Sequence, residues 1–308
     1  MLLRGGGSTH GTSEYNIPVR KKCPVVFDDV VTKENLYRAW DDFMRGKRRR
    51  ADVNDFALRL ADNLDSLYSE LVSGEYVHGA YEEYMICDPK KRIIHKASVR
   101  DRVVHRLIYN TLYPYFDSRF IHDSYSCRKG KGTHKARARF RQFTSQVSKN
   151  YTKQCYVLKF DIKKCFASID TNVLKDILAS HIGDKKLREL VCIIINSFAP
   201  GLPLGNLTSQ LFINIYLHEL DIYIKQALGV PYYIRYADDV VIVGNSREDL
   251  RKCMDNITTF IRNELRLKVH KIQFLSMYTG VDVVGEIFFP KYTTLRRSTA
   301  RKRSKSGV

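Results

Sequence analysis

From residue 32 the chain settles into a helical period. Leu36, Ala39, Trp40 and Phe43 recur at i, i+3, i+4 and i+7, and Thr32 stands where an N-cap is needed. Phe56, Leu60, Leu64, Leu67 and Leu71 carry the same period through a second helix that should end near Ser73-Gly74. Leu107, Leu112, Tyr115 and Phe116 read as one face of a further helix. The period then changes from helical to alternating. In CYVLKFDIKKCFASID (155–170), Tyr156, Leu158 and Phe160 alternate with Val157, Lys159 and Asp161, which predicts a buried strand ending at or just after an aspartate. In PYYIRYADDVVIVG (231–244), two β-rich arms, 232–236 and 240–243, flank Ala237-Asp238-Asp239. This predicts a hairpin with two adjacent carboxylates near its tip.

Composition narrows what such a chain can be. Its 308 residues suggest two domains at roughly 150 residues each, and 44% hydrophobic with 28% charged residues is globular composition. No apolar run approaches the ~20 residues of a bilayer span, and the first residues lack the apolar stretch of a secretory signal. Neither a membrane nor a secreted protein is expected. Seven cysteines (23, 87, 127, 155, 165, 192 and 253) form no CxxC pair, which disfavours a disulfide framework or zinc finger and points to a reducing cytoplasm.

The charge is more telling. Lys and Arg total 52 against 33 acids, a formal +19, and such an excess suits a polyanionic partner such as nucleic acid, or else a basic surface with no specific partner. Residues 86–141 hold 15 Lys or Arg, four acids and seven interleaved Tyr or Phe. That mixture suits a phosphate-tracking groove with stacking platforms, or a helix whose aromatics are simply core. RGKRRR (45–50) reads as a solvated turn or a backbone grip, and the stretch from Lys291 holds seven basic residues and no acid. Gly130 and Gly132 among Arg128, Lys129, Lys131 and Lys135 match neither a Walker loop nor a dinucleotide fingerprint.

The aspartates carry the candidate chemistry. Half-buried carboxylates repel one another and are costly to desolvate unless a positive charge compensates them. Three acids on neighbouring strand ends are most simply stabilised by divalent cations, and Mg²⁺ takes one or two carboxylates plus substrate phosphates. Two such ions, about 3.5–4 Å apart, can activate a 3′-hydroxyl and steady a leaving pyrophosphate. Asp-Asp in a hairpin is also ordinary turn chemistry. His95, His105, His122, His134 and His270 are scattered without ligand spacing.

YADD (236–239) within two apolar strands resembles the catalytic hairpin of reverse transcriptases. FDIKKCFASID resembles their first catalytic block, GLPLGNLTSQLFINIYL (201–217) the block between, and LRLKVHK (265–271) the block after. VDVVGEIFF (281–289) resembles the primer-grip strand pair, and DPKKRIIHKASVRDRVVH (88–105) the fingers. The blocks occur in the expected order over about residues 75–290. Where retroviral and group II intron enzymes have Gln-Gly and later Ser-Pro, this chain has Leu204-Gly205 and Ser209-Gln210. That departure, with DSYSCRKGKGTHKA and NLYRAWDDFMRGKRRR, is similar to the reverse transcriptases of diversity-generating retroelements.

The resemblance implies roles at matching positions. Asp161 and Asp238 are expected to hold both Mg²⁺ ions, with Mn²⁺ as a possible substitute. Asp239, also near the metals, is expected on the opposite strand face, tuning the site. Phe166 matches an aromatic gate that excludes a 2′-hydroxyl, with core packing as the alternative. Arg92 matches the residue that bridges the incoming triphosphate, with Lys91 assisting. Leu204 and Gly205 lie beside the nascent base pair, Gly205 allowing close backbone approach. Lys271 supports the hairpin or a phosphate, or else forms a salt bridge. Asn214 is expected as a helix-borne hydrogen-bonder near the site.

The expected fold is α+β, a right-hand polymerase with fingers and a palm whose antiparallel sheet carries the acids, its thumb absent or severely shortened. The expected division is a flexible leader (1–31), fingers with N-terminal helices (32–150), palm (151–290) and a basic tail or thumb remnant (291–308). The implied activity is error-prone copying of template RNA into cDNA from dNTPs and a primer, beside an accessory variability protein that forms a basic oligomer. The alternatives are another bacterial reverse transcriptase class (retron, intron-type or defence-linked) or a non-catalytic RNA-binding scaffold.

Overall fold

The computed structural model describes residues 22–87 and 91–296. A single turn, α1 (Phe27–Val30), leads into α2 (Lys33–Met44), which Thr32 caps by accepting from the Asn35 amide at 3.1 Å. Its predicted stripe of Leu36, Ala39, Trp40 and Phe43 is buried. The expected second helix is two, α3 (Ala51–Leu58) and α4 (Leu60–Ser73), parted at Arg59. The second ends on Gly74, whose φ of 78° is the left-handed cap that glycine adopts freely. Part of the expected leader is packed. Cys23 N–H donates to the His181 carbonyl at 2.7 Å, and Phe27, Val30 and Val31 lie in the main core. Residues 1–21 lie outside the described residues.

An antiparallel hairpin, β1 (Glu82–Cys87) and β2 (Lys91–Lys96), precedes the long α5 (Val99–Asp117), which Ser98 caps. The basic-aromatic region resolves towards core. Tyr109, Tyr113, Tyr115, Phe116, Phe120, Tyr125 and Phe140 are all buried, so none is an exposed stacking platform. Several of its cations are also used internally. Arg128 Nε donates to Asp117 at 2.6 Å, and Arg139 Nε donates to Asp123 at 2.8 Å. On α6 (Thr133–Val147), Arg137 donates to Glu286 at 2.7 Å.

The central sheet builds the site. Strand β3 (Tyr156–Ile162) is followed by the helices α7 (Cys165–Ser168), α8 (Thr171–His181), α9 (Lys185–Asn196) and α10 (Leu207–Ile222). The hairpin β4 (Tyr233–Tyr236) and β5 (Asp239–Gly244), helix α11 (Arg247–Asn263) and strand β6 (Val269–Ser276) complete it. Strand order is β4-β5-β3-β6, with every pairing antiparallel. Both faces are covered, which explains the near-continuous apolar runs of β3 and β5. Leu158, Phe160, Val240 and Ile242 join the main core, with Met254 and Ile257 of α11. Val157, Val241 and Val243 join a second core with Phe140 and Phe143 of α6. Each large apolar side chain so buried contributes about 1.5–3 kcal/mol.

The predicted primer-grip pair is a hairpin, β7 (Val281–Val283) and β8 (Glu286–Phe288), extended by β9 (Thr293–Leu295) into a three-stranded sheet. The expected basic tail is thus structured as far as Arg296, and residues 297–308 lie outside the described residues. Among the described residues no helix is long and apolar enough to cross a membrane. All seven cysteines are free.

Candidate active site

The tip of the β4–β5 hairpin is a two-residue turn, Ala237-Asp238, closed by the pairing of Tyr236 with Asp239. Ala237 has φ 55°, a left-handed conformation that favours glycine or asparagine, so the turn is held against a local cost of about 1 kcal/mol. Asp161, the penultimate residue of β3, stands directly across from Asp239. Residues opposite each other in an antiparallel pair share a face, so these two carboxylates are turned to the same side. This corrects the expected placement of Asp239. Asp238 belongs to the turn and not the strand, so strand alternation does not set the two hairpin acids on opposite faces. The Ile162 amide donates to the Asp238 carbonyl at 3.3 Å, tying the turn to β3.

All three acids line one cavity of about 540 Å³, together with Arg92, Lys159, Lys271, Asp282 and Arg296. Burial pushes the Asp238 carboxyl above its ordinary range, Asp239 and Asp161 add to the shift, and Arg92 opposes it. Asp239 is raised by burial and by Asp161 and Asp282, against Lys159 and Arg296. Asp161 accepts from Lys271 Nζ at 3.4 Å through Oδ2, while its buried Oδ1 has no partner.

Among the described residues no three His, Cys, Asp or Glu side chains converge tightly enough to hold an ion by themselves. An orphaned carboxylate oxygen beside two carboxyls that resist ionisation nonetheless suits a hard divalent cation. Such an ion takes one or two carboxylates and fills its remaining positions with water and substrate phosphates.

A β-bulge aims Lys271. Between Lys159 and Asp161 of β3 the partner on β6 jumps from Gln273 to His270, so β6 carries one extra residue. Lys271, at φ 51°, lies in that bulge and meets Asp161. Of the roles open to Lys271, the structure displays the salt bridge.

Arg92 lies on β2 and reaches the same cavity. Lys91, the next position on an alternating strand, is exposed and does not line it. Phe166 is half-buried on α7 against the main core, also outside the cavity lining, and its carbonyl accepts from the Leu202 amide at 2.8 Å. The segment after it docks on β2. His95 N–H donates to the Leu204 carbonyl at 2.9 Å, and Asn206 Nδ2 donates to the His95 carbonyl at 2.9 Å. Gly205 has φ 110°, and a Cβ there would stand 2.6 Å from Ile94 Cγ2. The close approach this glycine permits is therefore to Ile94.

Sequence reasoning missed Arg235 and Asp221, a fully buried ion pair beneath the hairpin, 2.7 Å apart. It also missed Lys159, whose Nζ donates to the Asp282 carbonyl at 2.8 Å, and the Arg296–Asp282 pair. Asn214 is a hydrogen-bonder on α10, as expected, but it lies outside the cavity lining beneath the hairpin, its Oδ1 accepting from Arg235 Nη1 at 3.0 Å.

Residues 88–293 match the model of the reverse transcriptase (RNA-dependent DNA polymerase) family. The chain is 20% identical over 277 residues to the COX1/OXI3 intron 2 protein of Saccharomyces cerevisiae, a match covering 67% of this chain and 30% of that protein. It is 28% identical over 176 residues to an uncharacterized 91 kDa protein in the cob intron of Schizosaccharomyces pombe, covering 53% and 21%. The chain thus spans under a third of the length of either curated relative. A solved structure of apo telomerase from Candida tropicalis, truncated from its C-terminal domain, superposes with a TM-score of 0.52 at 15% identity. That likeness covers 75% of this chain and 60% of the telomerase chain, and it supports the right-hand polymerase fold. With about two thirds of its residues in the family match, the chain belongs to the reverse transcriptase (RNA-dependent DNA polymerase) family.

Proposed function

We propose that this chain is an RNA-directed DNA polymerase that extends a primer with dNTPs on an RNA template. The observation that carries the reading is the convergence of Asp161, Asp238 and Asp239 on one cavity faced by Arg92. In this reading residues 32–150 are fingers and 151–290 palm.

Asp161 and Asp238 would hold two Mg²⁺ ions, and Asp239 would adjust the charge around them. Bound there, the ions supply activation of the primer 3′-hydroxyl and charge neutralisation for the departing pyrophosphate. Arg92 offers a planar donor fork to the incoming triphosphate, which a guanidinium suits better than a point charge. Lys91 adds positive potential outside the cavity. Lys271 balances Asp161 and places a further cation beside the phosphates. Phe166, five residues beyond Asp161 and set against the core outside the cavity lining, is the candidate gate against a 2′-hydroxyl, and Leu204 the candidate neighbour of the nascent pair, with Gly205 seating that loop on Ile94 of β2.

Primer extension on a defined RNA template, with and without Mg²⁺, tests the reading. Asp161→Asn and Asp238→Asn should each lower the rate at least ~10³-fold while RNA affinity stays near that of the wild type. Substantial extension by either variant would refute it.

Leu204-Gly205 and Ser209-Gln210 favour a finer reading, an error-prone enzyme of a diversity-generating retroelement working beside an accessory variability protein. The intron-borne relatives favour an intron-type enzyme instead. A template and variable repeat pair beside the gene, and extension that responds to the accessory protein, would separate the two.

A further inference from the structure

Beneath the hairpin lies a polar cluster sealed from solvent. Arg235, Asp221 and Tyr233 are 0% exposed and Asn214 is 2% exposed. Arg235 forks onto Asp221, Nε to Oδ1 and Nη2 to Oδ2, each at 2.7 Å. Tyr233 donates its hydroxyl to Asp221 Oδ1 at 2.5 Å. Burial pushes the Asp221 carboxyl up, but Arg235 and His218 carry it down to about 2, so the pair is charged at neutral pH. Such a pair is poor value as stabilisation, because taking both charges out of water offsets most of their attraction. Its presence calls for a different account.

The remaining contacts supply one. Arg235 Nη1 donates to Asn214 Oδ1 at 3.0 Å and to the Ala237 carbonyl at 3.2 Å. Asn214 and Asp221 lie seven residues apart on α10, about two turns, so one rigid face of that helix holds both. Asn214 is itself fixed, its Nδ2 donating to the Ser126 carbonyl at 3.0 Å. The Arg235 backbone is held as well, its amide donating to the Asp123 carbonyl and its carbonyl accepting from Tyr125, each at 2.9 Å. Among these contacts only the one to Ala237 reaches the site. Ala237 is the left-handed residue of the turn, and Asp238 follows it directly.

We propose that Arg235, clamped by Asp221 and Asn214, is the positioning residue for Asp238. It holds the strained turn through the Ala237 carbonyl and so fixes where the Asp238 carboxylate points. The inference rests on the reading of Asp238 as an ion ligand.

Arg235→Lys keeps the charge and loses the fork. Asn214→Ala leaves the Arg235–Asp221 pair intact and removes its support beside the turn. Each full-length variant is compared with wild type and Asp238→Asn for unfolding midpoint, RNA affinity, and kcat and KM for dNTP. A readout independent of turnover is the Mg²⁺ concentration giving half of the ion-induced rise in unfolding midpoint. Residues that orient metal ligands typically change ion affinity or activity by about 10–100-fold. Folded Arg235→Lys should therefore lose kcat and require about 10-fold more Mg²⁺, with KM and RNA affinity within about two-fold.

Wild-type kcat and ion dependence in folded Arg235→Lys would overturn the proposal. If that variant does not fold, the same result in Asn214→Ala overturns it. Extension by Asp238→Asn would instead refute the underlying reading of Asp238.

Discussion

Replacing Gly201 with alanine tests whether the loop before α10 is fixed by packing against the segment that carries Phe166. Gly201 has φ +77°, and a Cβ there would lie 2.7 Å from the Ala167 carbonyl carbon and 2.8 Å from its Cα, with the Phe166 carbonyl oxygen closer still. An L-residue in this left-handed conformation costs about 1–2 kcal/mol. All the neighbours are backbone atoms, so no side-chain rotation relieves the overlap, and forced displacement in a packed region costs a further ~1–3 kcal/mol. The expected loss is about 2–5 kcal/mol, or a drop of about 3–8 °C in unfolding midpoint for a chain of 308 residues. Gly46→Ala is the control. Its φ is +72° but nothing lies within 4 Å, so only the conformational cost applies. Thermal unfolding of the two variants separates the effects, and equal losses would refute the packing argument. Because the Leu202 amide is bonded to the Phe166 carbonyl, the displaced segment should also raise KM for dNTP in Gly201→Ala.

Burial, with His78 adding to it, pushes His105 down to about 3, so the folded state holds its ring neutral. The unfolded state binds the proton first, so stability is present above pH 6.5 and falls as pH drops towards 3, and denaturation midpoints of His105→Asn should be flatter between pH 6.5 and 5. Phe166→Ala should admit ribonucleotides with dNTP use largely retained, and unchanged rNTP/dNTP selectivity would leave the ring a core residue. If Leu204 lies beside the nascent pair, as proposed, Leu204→Gln supplies a hydrogen-bonding group there, worth ~1 kcal/mol or several-fold in selectivity. Sequenced cDNA should show fewer errors opposite template adenine, and equal error rates would detach this position from fidelity.

What could be read from the sequence was local. Thr32 and Gly74 announce helix ends because capping depends on a few neighbouring residues, and both act as expected. The break at Arg59 was not visible because the apolar stripe runs through it from Phe56 to Leu60 and Leu64. The aromatics at 109–140 posed a harder problem. A groove of stacking rings and a buried helix face have the same composition, and only the packing of α5 and α6 against the rest decides between them. The same holds for Arg128 and Arg139, whose charge suggested a phosphate grip and whose partners are Asp117 and Asp123.

The candidate site divides along the same line. Asp161 was legible because alternation places it at a strand end, and Asp238 and Asp239 because two apolar arms flank them at a hairpin tip, whereas the face of Asp239 depends on a pairing register across 78 residues of chain. Lys271 met Asp161 through a bulge that no periodicity announces. Arg235 is the instructive omission, because a signal for it existed. It stands in YYIRY, a strand of otherwise apolar and aromatic residues, and every residue of β4 except Tyr236 is buried. A charge in a strand covered on both faces demands a buried counter-charge. Helix α10 is buried on nearly every side and carries two acids, Glu219 and Asp221, among its buried residues, Asp221 the more deeply. Two opposite charges in two segments that are each too apolar to face water have few places to go but together. That pairing rule, applied to the residue two before the turn, reaches beneath the hairpin to the helix that anchors it.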